Sequence, residues 1–134
     1  MIPIILKERM IKVIIDKKTP TINHLYYYRG NIKVLSTEGR NLRKYIEKLV
    51  SEQINKELVE QLKNKKLSLT VEIFENWYTK KGAVRKKDLA NREKFLIDSI
   101  FKSLGLDDSF IFEHKMFKIQ SNEEKVKILI SKIE

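Results

Sequence analysis

Leu42, Ile46, Val50, Ile54, Leu58 and Leu62 stand at every fourth position of one continuous stretch, with Tyr45, Leu49 and Val59 beside them. This spacing predicts one long helix over residues 37–63. Ser36 supplies an N-cap, and Glu38 puts a negative charge in the first turn, where the helix dipole favours it. A period of four overshoots the 3.6-residue turn by about 40° per step, so the apolar stripe winds around the helix. Either the helix bends over its core, or its C-terminal half packs on something else, such as a second subunit. The run Lys63, Asn64, Lys65, Lys66 ends it.

Shorter elements surround this helix. Residues 10–16 (MIKVIID) are β-branched and predict a strand. Residues 16–31 hold Pro20, Asn23, Gly30 and the run Tyr26, Tyr27, Tyr28; they predict a long loop that turns back as a short strand at Ile32–Leu35. Residues 67–74 alternate apolar and polar, the pattern of a strand with one solvated face. Residues 76–87 form a basic loop that opens with Trp77 and Tyr78. Residues 89–104 predict a second helix, with Leu89, Leu96, Ile97, Ile100, Phe101 and Leu104 as its apolar positions and Gly105 just past its end. Residues 110–119 and 125–133 predict two strands of a terminal hairpin turning over residues 120–124. The expected fold is α+β, with a single small mixed sheet of about four strands and two main helices. At 134 residues the chain has the length of one domain, spanning residues 1–134.

Composition narrows the chemistry. The chain has no Cys, which excludes disulfides, thiolate-bound zinc, iron–sulfur clusters and a cysteine nucleophile. His24 and His114 are its only histidines, so a metal would be held largely by oxygen. Lys and Arg number 28 against 18 Asp and Glu, a formal net charge of +10 that favours polyanionic partners. No apolar run approaches the roughly 18 residues that span a bilayer. The N-terminal MIPIILKERM lacks the basic region and small-residue cleavage site of a leader. The expectation is an intracellular, cytoplasmic protein with no membrane partner.

The stretch RKKDLANREKFLIDSIFKSLGLDD, residues 85–108, carries the chemistry. A basic run leads into Asp88 at a helix start. Asn91, Lys94 and Asp98 fall at i, i+3 and i+7, on one helical face. Asp107 and Asp108 stand as a pair just beyond the helix. Each feature has an ordinary explanation: Asp88 as an N-cap, Lys94 and Asp98 as a surface ion pair worth about 0.3–0.5 kcal/mol, the aspartate pair as solvated turn residues. Together, acids set in an excess of positive charge suit phosphodiester cleavage. Carboxylates hold Mg²⁺, the metal bridges a phosphate oxygen and the attacking water, and a lysine steadies the developing charge.

This pattern resembles the RusA family of Holliday junction resolvases. The family's Asp-x-Asp-Asn element after a basic run is matched by Asp88-Leu89-Ala90-Asn91, its following lysine by Lys94, its next aspartate by Asp98, and its Asp-Asp pair by Asp107 and Asp108. Pro20, Asn23 and Tyr26, then Ser36-Thr37-Glu38-Gly39, match its N-terminal half. The resemblance runs from about residue 10 to 133. It implies Asp88, Lys94, Asp107 and Asp108 as catalytic residues, with Asp88, Asp107 and Asp108 holding Mg²⁺ (or Mn²⁺ in its place) and Asn91 and Asp98 in support. It implies a homodimer acting on four-way junction DNA, with no small-molecule cofactor, at nucleoid-associated DNA. One position departs: Ala90 stands where the family has its second aspartate.

A helix of about 16 residues is roughly 24 Å long, and it separates Asp88 from Asp107 and Asp108. Two carboxylates on one Mg²⁺ must each come within about 2.1 Å of it. The expectation is a site completed across a two-fold dimer; the alternative is a loop that folds Asp107 back along the helix. Lys80, Lys81, Arg85, Lys86 and Lys87 are expected on phosphates beside the cut. Arg29, Arg40, Arg43 and Lys44 are expected on DNA near the tyrosine loop, with Asn23, Tyr26 and His24. The three tyrosines suit either stacking on unpaired bases or core filling, and His114 suits a structural place in a strand. Two functions compete with the nuclease. One is a junction-binding protein of the same fold that cuts weakly or not at all because of Ala90; the other is a basic α+β interaction module.

Overall fold

The computed structural model describes residues 10–19, 22–86 and 89–134, with the side chains of residues 22, 23, 90 and 91 outside the description. The elements are β1 (Ile11–Ile15), a helical turn (Ile22–Leu25), β2 (Tyr26–Arg29), β3 (Ile32–Leu35), α1 (Thr37–Gln53), α2 (Lys56–Leu62), β4 (Leu67–Glu75), α3 (Ala90–Leu104), a 3-10 turn (Asp108–Phe110), β5 (Ile111–Gln120) and β6 (Lys125–Lys132). The fold is α+β, as the sequence predicts. A mixed four-stranded sheet runs β1-β6-β4-β5, and β2 with β3 makes a separate two-stranded sheet.

Strand β4 is the axis of the sheet. Leu67, Leu69, Val71 and Ile73 are buried on one face, while Ser68, Thr70, Glu72 and Phe74 lie half-buried on the other. β1 and β6 continue the buried face with Val13, Ile15, Ile128 and Ile130. Helices α1 and α3 cover it, α1 with Leu42, Ile46 and Val50 and α3 with Phe95, Leu96, Ile100 and Phe101.

The terminal hairpin does not form. β5 and β6 do not pair; β4 lies between them, parallel to β5 and antiparallel to β6. The strongly alternating β4, like β6, takes a position with neighbours on both edges. Residues 121–124 then cross two strand spacings, about 10 Å, a distance four extended residues can reach. The Ser121 N–H donates to the Glu75 carbonyl at 3.1 Å, which stitches this crossing to the end of β4.

The long helix is also interrupted. Ile54 is extended (φ −104°, ψ 137°), and the Asn55 side chain accepts from the Glu57 N–H at 2.9 Å, starting α2 afresh. The winding stripe is thus resolved by a break, which returns Val59 and Leu62 to the core. In the stretch expected to be a loop, β2 pairs with β3 (Tyr26 opposite Leu35, Arg29 opposite Ile32) around Gly30, whose φ is +64°.

Arg92 is the largest unforeseen core residue. It is buried at 1% exposure and forms an ion pair with the equally buried Glu75, its second nitrogen 3.3 Å from the carboxylate. The pair joins the end of β4 to the first turns of α3. Among the described residues no helix is long and apolar enough to cross a membrane.

Candidate active site

Helix α3 carries the middle of the motif and then reverses. Gly105 adopts a left-handed φ of +72°; its N–H donates to the Lys102 carbonyl, and the Leu106 N–H donates to the Phe101 carbonyl at 3.0 Å. This closure turns the chain back along the helix it has just left. Asp107 then caps the 3-10 turn, its carboxylate accepting from the Ser109 N–H at 2.9 Å. The turn sets Asp107 and Asp108 beside Asp98.

The result is a cavity of about 350 Å³ lined by Arg43, Asp98, Lys102, Asp107 and Asp108, floored by Phe101 and Leu106. The carboxylates of Asp98 and Asp108 make no hydrogen bond or ion pair with any described residue. Asp107 differs. The backbone N–H of Ser109 first, then its hydroxyl, holds the Asp107 carboxyl below the usual range. Arg43 enters from α1. Its Nε donates to the Ser99 hydroxyl at 3.2 Å, and its guanidinium lies 5.5 Å from the centre of the Phe95 ring.

Tyr26 borders the same place. Its ring meets Phe95 edge-on, with centroids 6.4 Å apart at 79°. Burial raises the pKa of its hydroxyl, Arg43 opposes the shift and Asp98 adds to it. The hydroxyl therefore stays protonated beside a cation and an anion.

Other expected residues are dispersed. Lys94 is exposed one turn before Asp98 and forms no ion pair with it, so the simple surface pair is absent. Asp88 and Lys87 lie outside the described residues, as do the side chains of Asn23 and Asn91. The N-cap position of α3 is Leu89, without a side-chain cap. Lys80, Lys81 and Lys86 are exposed around a tight turn bridged by Tyr78 and Val84, while the Arg85 Nε is spent on the Tyr78 carbonyl at 3.1 Å. Arg29 and Lys44 are exposed; Arg40 donates to the Leu35 carbonyl and to Thr37. His24 is exposed beside Glu38, and the His114 Nδ1 lies 3.1 Å from Glu93. Lys102, at i+4 from Asp98, extends the Asn91–Lys94–Asp98 face by one turn, where its sequence position alone looks like that of an ordinary surface lysine. The place of Arg43 among the acids had no local signal, because it comes from another helix.

A family model described as Endodeoxyribonuclease RusA matches residues 17–131. The chain belongs to the RusA family. Its members are DNA-binding hydrolases of the Holliday-junction-resolving type that act in recombination. They generally require a divalent metal ion. Among curated proteins no sequence matches this RusA chain.

The cavity can be tested against that requirement. Among the described residues no group of three or more acidic or histidine side chains is placed to hold a metal ion. Mg²⁺ does not need one, since it commonly keeps several waters and takes one or two carboxylates. Two uncommitted carboxylates, an all-oxygen donor set and two adjoining cations fit a hard divalent ion with a phosphate beside it.

Proposed function

We propose that this RusA chain is a Mg²⁺-dependent, structure-selective endonuclease that resolves four-way DNA junctions by paired symmetric nicks. The single observation that carries this reading is the meeting of Asp98, Asp107 and Asp108 with Arg43 in one cavity.

Asp98 and Asp108 are the carboxylates of this cavity that would hold the cation, with Mn²⁺ as a possible substitute, and Asp88 is the further candidate ligand. The bound ion would supply a Lewis acid for the phosphate and a more acidic water. Arg43 places a fixed fork of donors where a scissile phosphate would lie, and so stabilises the charge that develops on its oxygens. Lys102, and Lys94 one turn from Asp98, add positive potential along the path of the strand. Asp107 holds the turn that aims Asp108. Lys80, Lys81, Lys86 and Lys87 bind the flanking backbone without reading sequence.

A four-way junction has two-fold symmetry, and two symmetric nicks call for two sites, which a C2 homodimer supplies. The geometry weighs on how each site is completed. The folded-back turn brings the aspartate pair to Asp98 within one chain, whereas the first residue of α3 lies eight residues, about 12 Å, further along the axis. A contribution from Asp88 therefore arrives through its own loop or from a partner subunit. A DNA substrate of this kind places the work inside the cell, at the nucleoid.

Ala90 supports a second reading, a junction-binding protein with weak or no cleavage. Labelled four-way junctions separate the two. Mg²⁺-dependent paired nicks, abolished in Asp108→Asn, support the nuclease. Tight junction binding without nicks in either metal overturns it in favour of the second reading, and equal affinity for junction and duplex leaves only a basic interaction module. Ala90→Asp probes the departure directly: a higher rate or lower metal requirement would mark the missing carboxylate as limiting.

A further inference from the structure

The β2–β3 ribbon stands outside the main sheet, and its two ends differ. The base is firmly held. Leu25 is fully buried, and the Ser36 N–H donates to its carbonyl at 2.8 Å. The Ser36 hydroxyl donates to the His24 carbonyl at 2.6 Å. Gly39 lets α1 approach this turn, because a Cβ there would lie 2.5 Å from the Leu25 carbonyl oxygen. Tyr26 packs its ring against Phe95.

The tip is bare. Tyr28 is 71% exposed, Ile32 67% and Tyr27 41%. An isolated two-stranded hairpin gains little stability of its own, and clustered exposed apolar side chains of this size add nothing to folding; they mark a surface that meets something else. The charge at the tip says what. Arg29 and Lys33 lie among these side chains, and residues 26–35 contain no acid. Aromatic faces beside cations are the chemistry that takes up nucleotides whose bases are not stacked in a duplex.

The ribbon also points this chemistry at the cavity. By strand alternation Tyr26 and Tyr28 share one face, with Lys33 cross-strand from Tyr28 and its Nζ 4.5 Å from the centre of the Tyr26 ring. At one end of that face Tyr26 meets Phe95, the ring that the Arg43 guanidinium also approaches; the other end is Tyr28, about 7 Å further along the strand.

We infer that the β2–β3 ribbon is a base-stacking wedge, in which Tyr28 packs on a base left unstacked at the branch point while Arg29 and Lys33 hold the neighbouring phosphates. The inference rests on the cavity being the site of phosphodiester cleavage. Continuous duplex offers Tyr28 no free base, so the wedge favours branched over linear DNA and brings the branch next to the cavity.

The test is the ratio of junction to duplex affinity for Tyr28→Ala, Tyr28→Phe and the wild type, measured without metal, with 2-aminopurine at the branch as a stacking probe. Tyr28→Ala should lower the ratio about tenfold, the scale of one lost base–aromatic stack. It should also remove the 2-aminopurine response, while Tyr28→Phe keeps both. A wild-type ratio in Tyr28→Ala overturns the wedge, as does a Tyr28→Phe variant as impaired as alanine, since stacking needs the ring and not the hydroxyl. Nicking is scored separately with Mg²⁺. Junctions nicked by wild type while Tyr28→Ala keeps the full ratio sink the wedge alone. Absent nicking with a lost ratio sinks the nuclease reading alone.

Discussion

Arg43 and Ser99 are joined by a hydrogen bond of 3.2 Å, Nε to Oγ, that ties helix α1 to α3 one residue past Asp98. The bond fixes the direction from which the guanidinium reaches the cavity. Ser99→Ala removes the tie and leaves the charge. Cleavage of a four-way junction should fall about tenfold, because misplacing a phosphate-binding group costs rate even when the group remains. Arg43→Ala should cost about 10²-fold or more, on the scale of losing one electrostatic contact to the transition state. Steady-state kinetics on the three proteins check the order.

The two adjacent aspartates should separate. Asp108→Asn removes a carboxylate that engages no described partner, and cleavage should drop about 10²-fold or more with the fold intact by circular dichroism. Asp107→Asn keeps a side chain that caps as well as aspartate, and should stay within about tenfold of wild type. Asp107→Ala, which cannot accept from the Ser109 N–H, should cleave less well than Asp107→Asn. Equal losses in the two asparagine variants would contradict this division of roles.

The Asp107 carboxyl should titrate below its ordinary value of 3.8. Its folded pKa is depressed, so the ionised form favours the folded turn. That stabilisation is fully present above the ordinary value and is lost as pH falls through the depressed one. Carboxyl-detected NMR titration measures it. Ser109→Ala should move the value part of the way back, because the backbone N–H, the larger cause, remains.

Arg92→Met should destabilise the protein by about 3–5 kcal/mol, the scale of breaking one buried ion pair. Replacing both, Arg92→Met with Glu75→Leu, should recover much of the loss, because a well-packed apolar pair often equals a buried ion pair. Urea unfolding of the two variants distinguishes a structural pair from a residue needed for cleavage.

Local pattern was legible where local physics decides the outcome. The alternation in β4, the N-cap at Ser36 and the stop at Gly105 are each set by neighbours in sequence, and the structure has all three. The α+β class followed from them. The break at Ile54 was hidden because Asn55 caps only once the helix has stopped, and an apolar residue every fourth position fits a bent helix as well as a broken one. The insertion of β4 between β5 and β6 was hidden because sequence proximity favours a hairpin, while the competition for a central position is decided by contacts across the whole chain. At the site, the spacing of Asn91, Lys94 and Asp98 puts the three on one helical face, of which Asp98 lines the cavity. It gave no sign of Arg43, which lies 55 residues before Asp98 in the numbering and reaches the cavity only when α1 packs on α3.

The position of β6 has a consequence for synthesis. Among the described residues β1 pairs in the main sheet with β6 alone, Ile11 opposite Ile130 and Ile15 opposite Val126. Until residues 125–132 are made, β1 lacks the edge it joins, and its apolar side chains have no strand to pack beside. Closing this sheet joins strands far apart in the sequence, which is slow by the measure of separation along the chain, and removal of residues 125–132 should leave β1 and β4 without the strand that joins them.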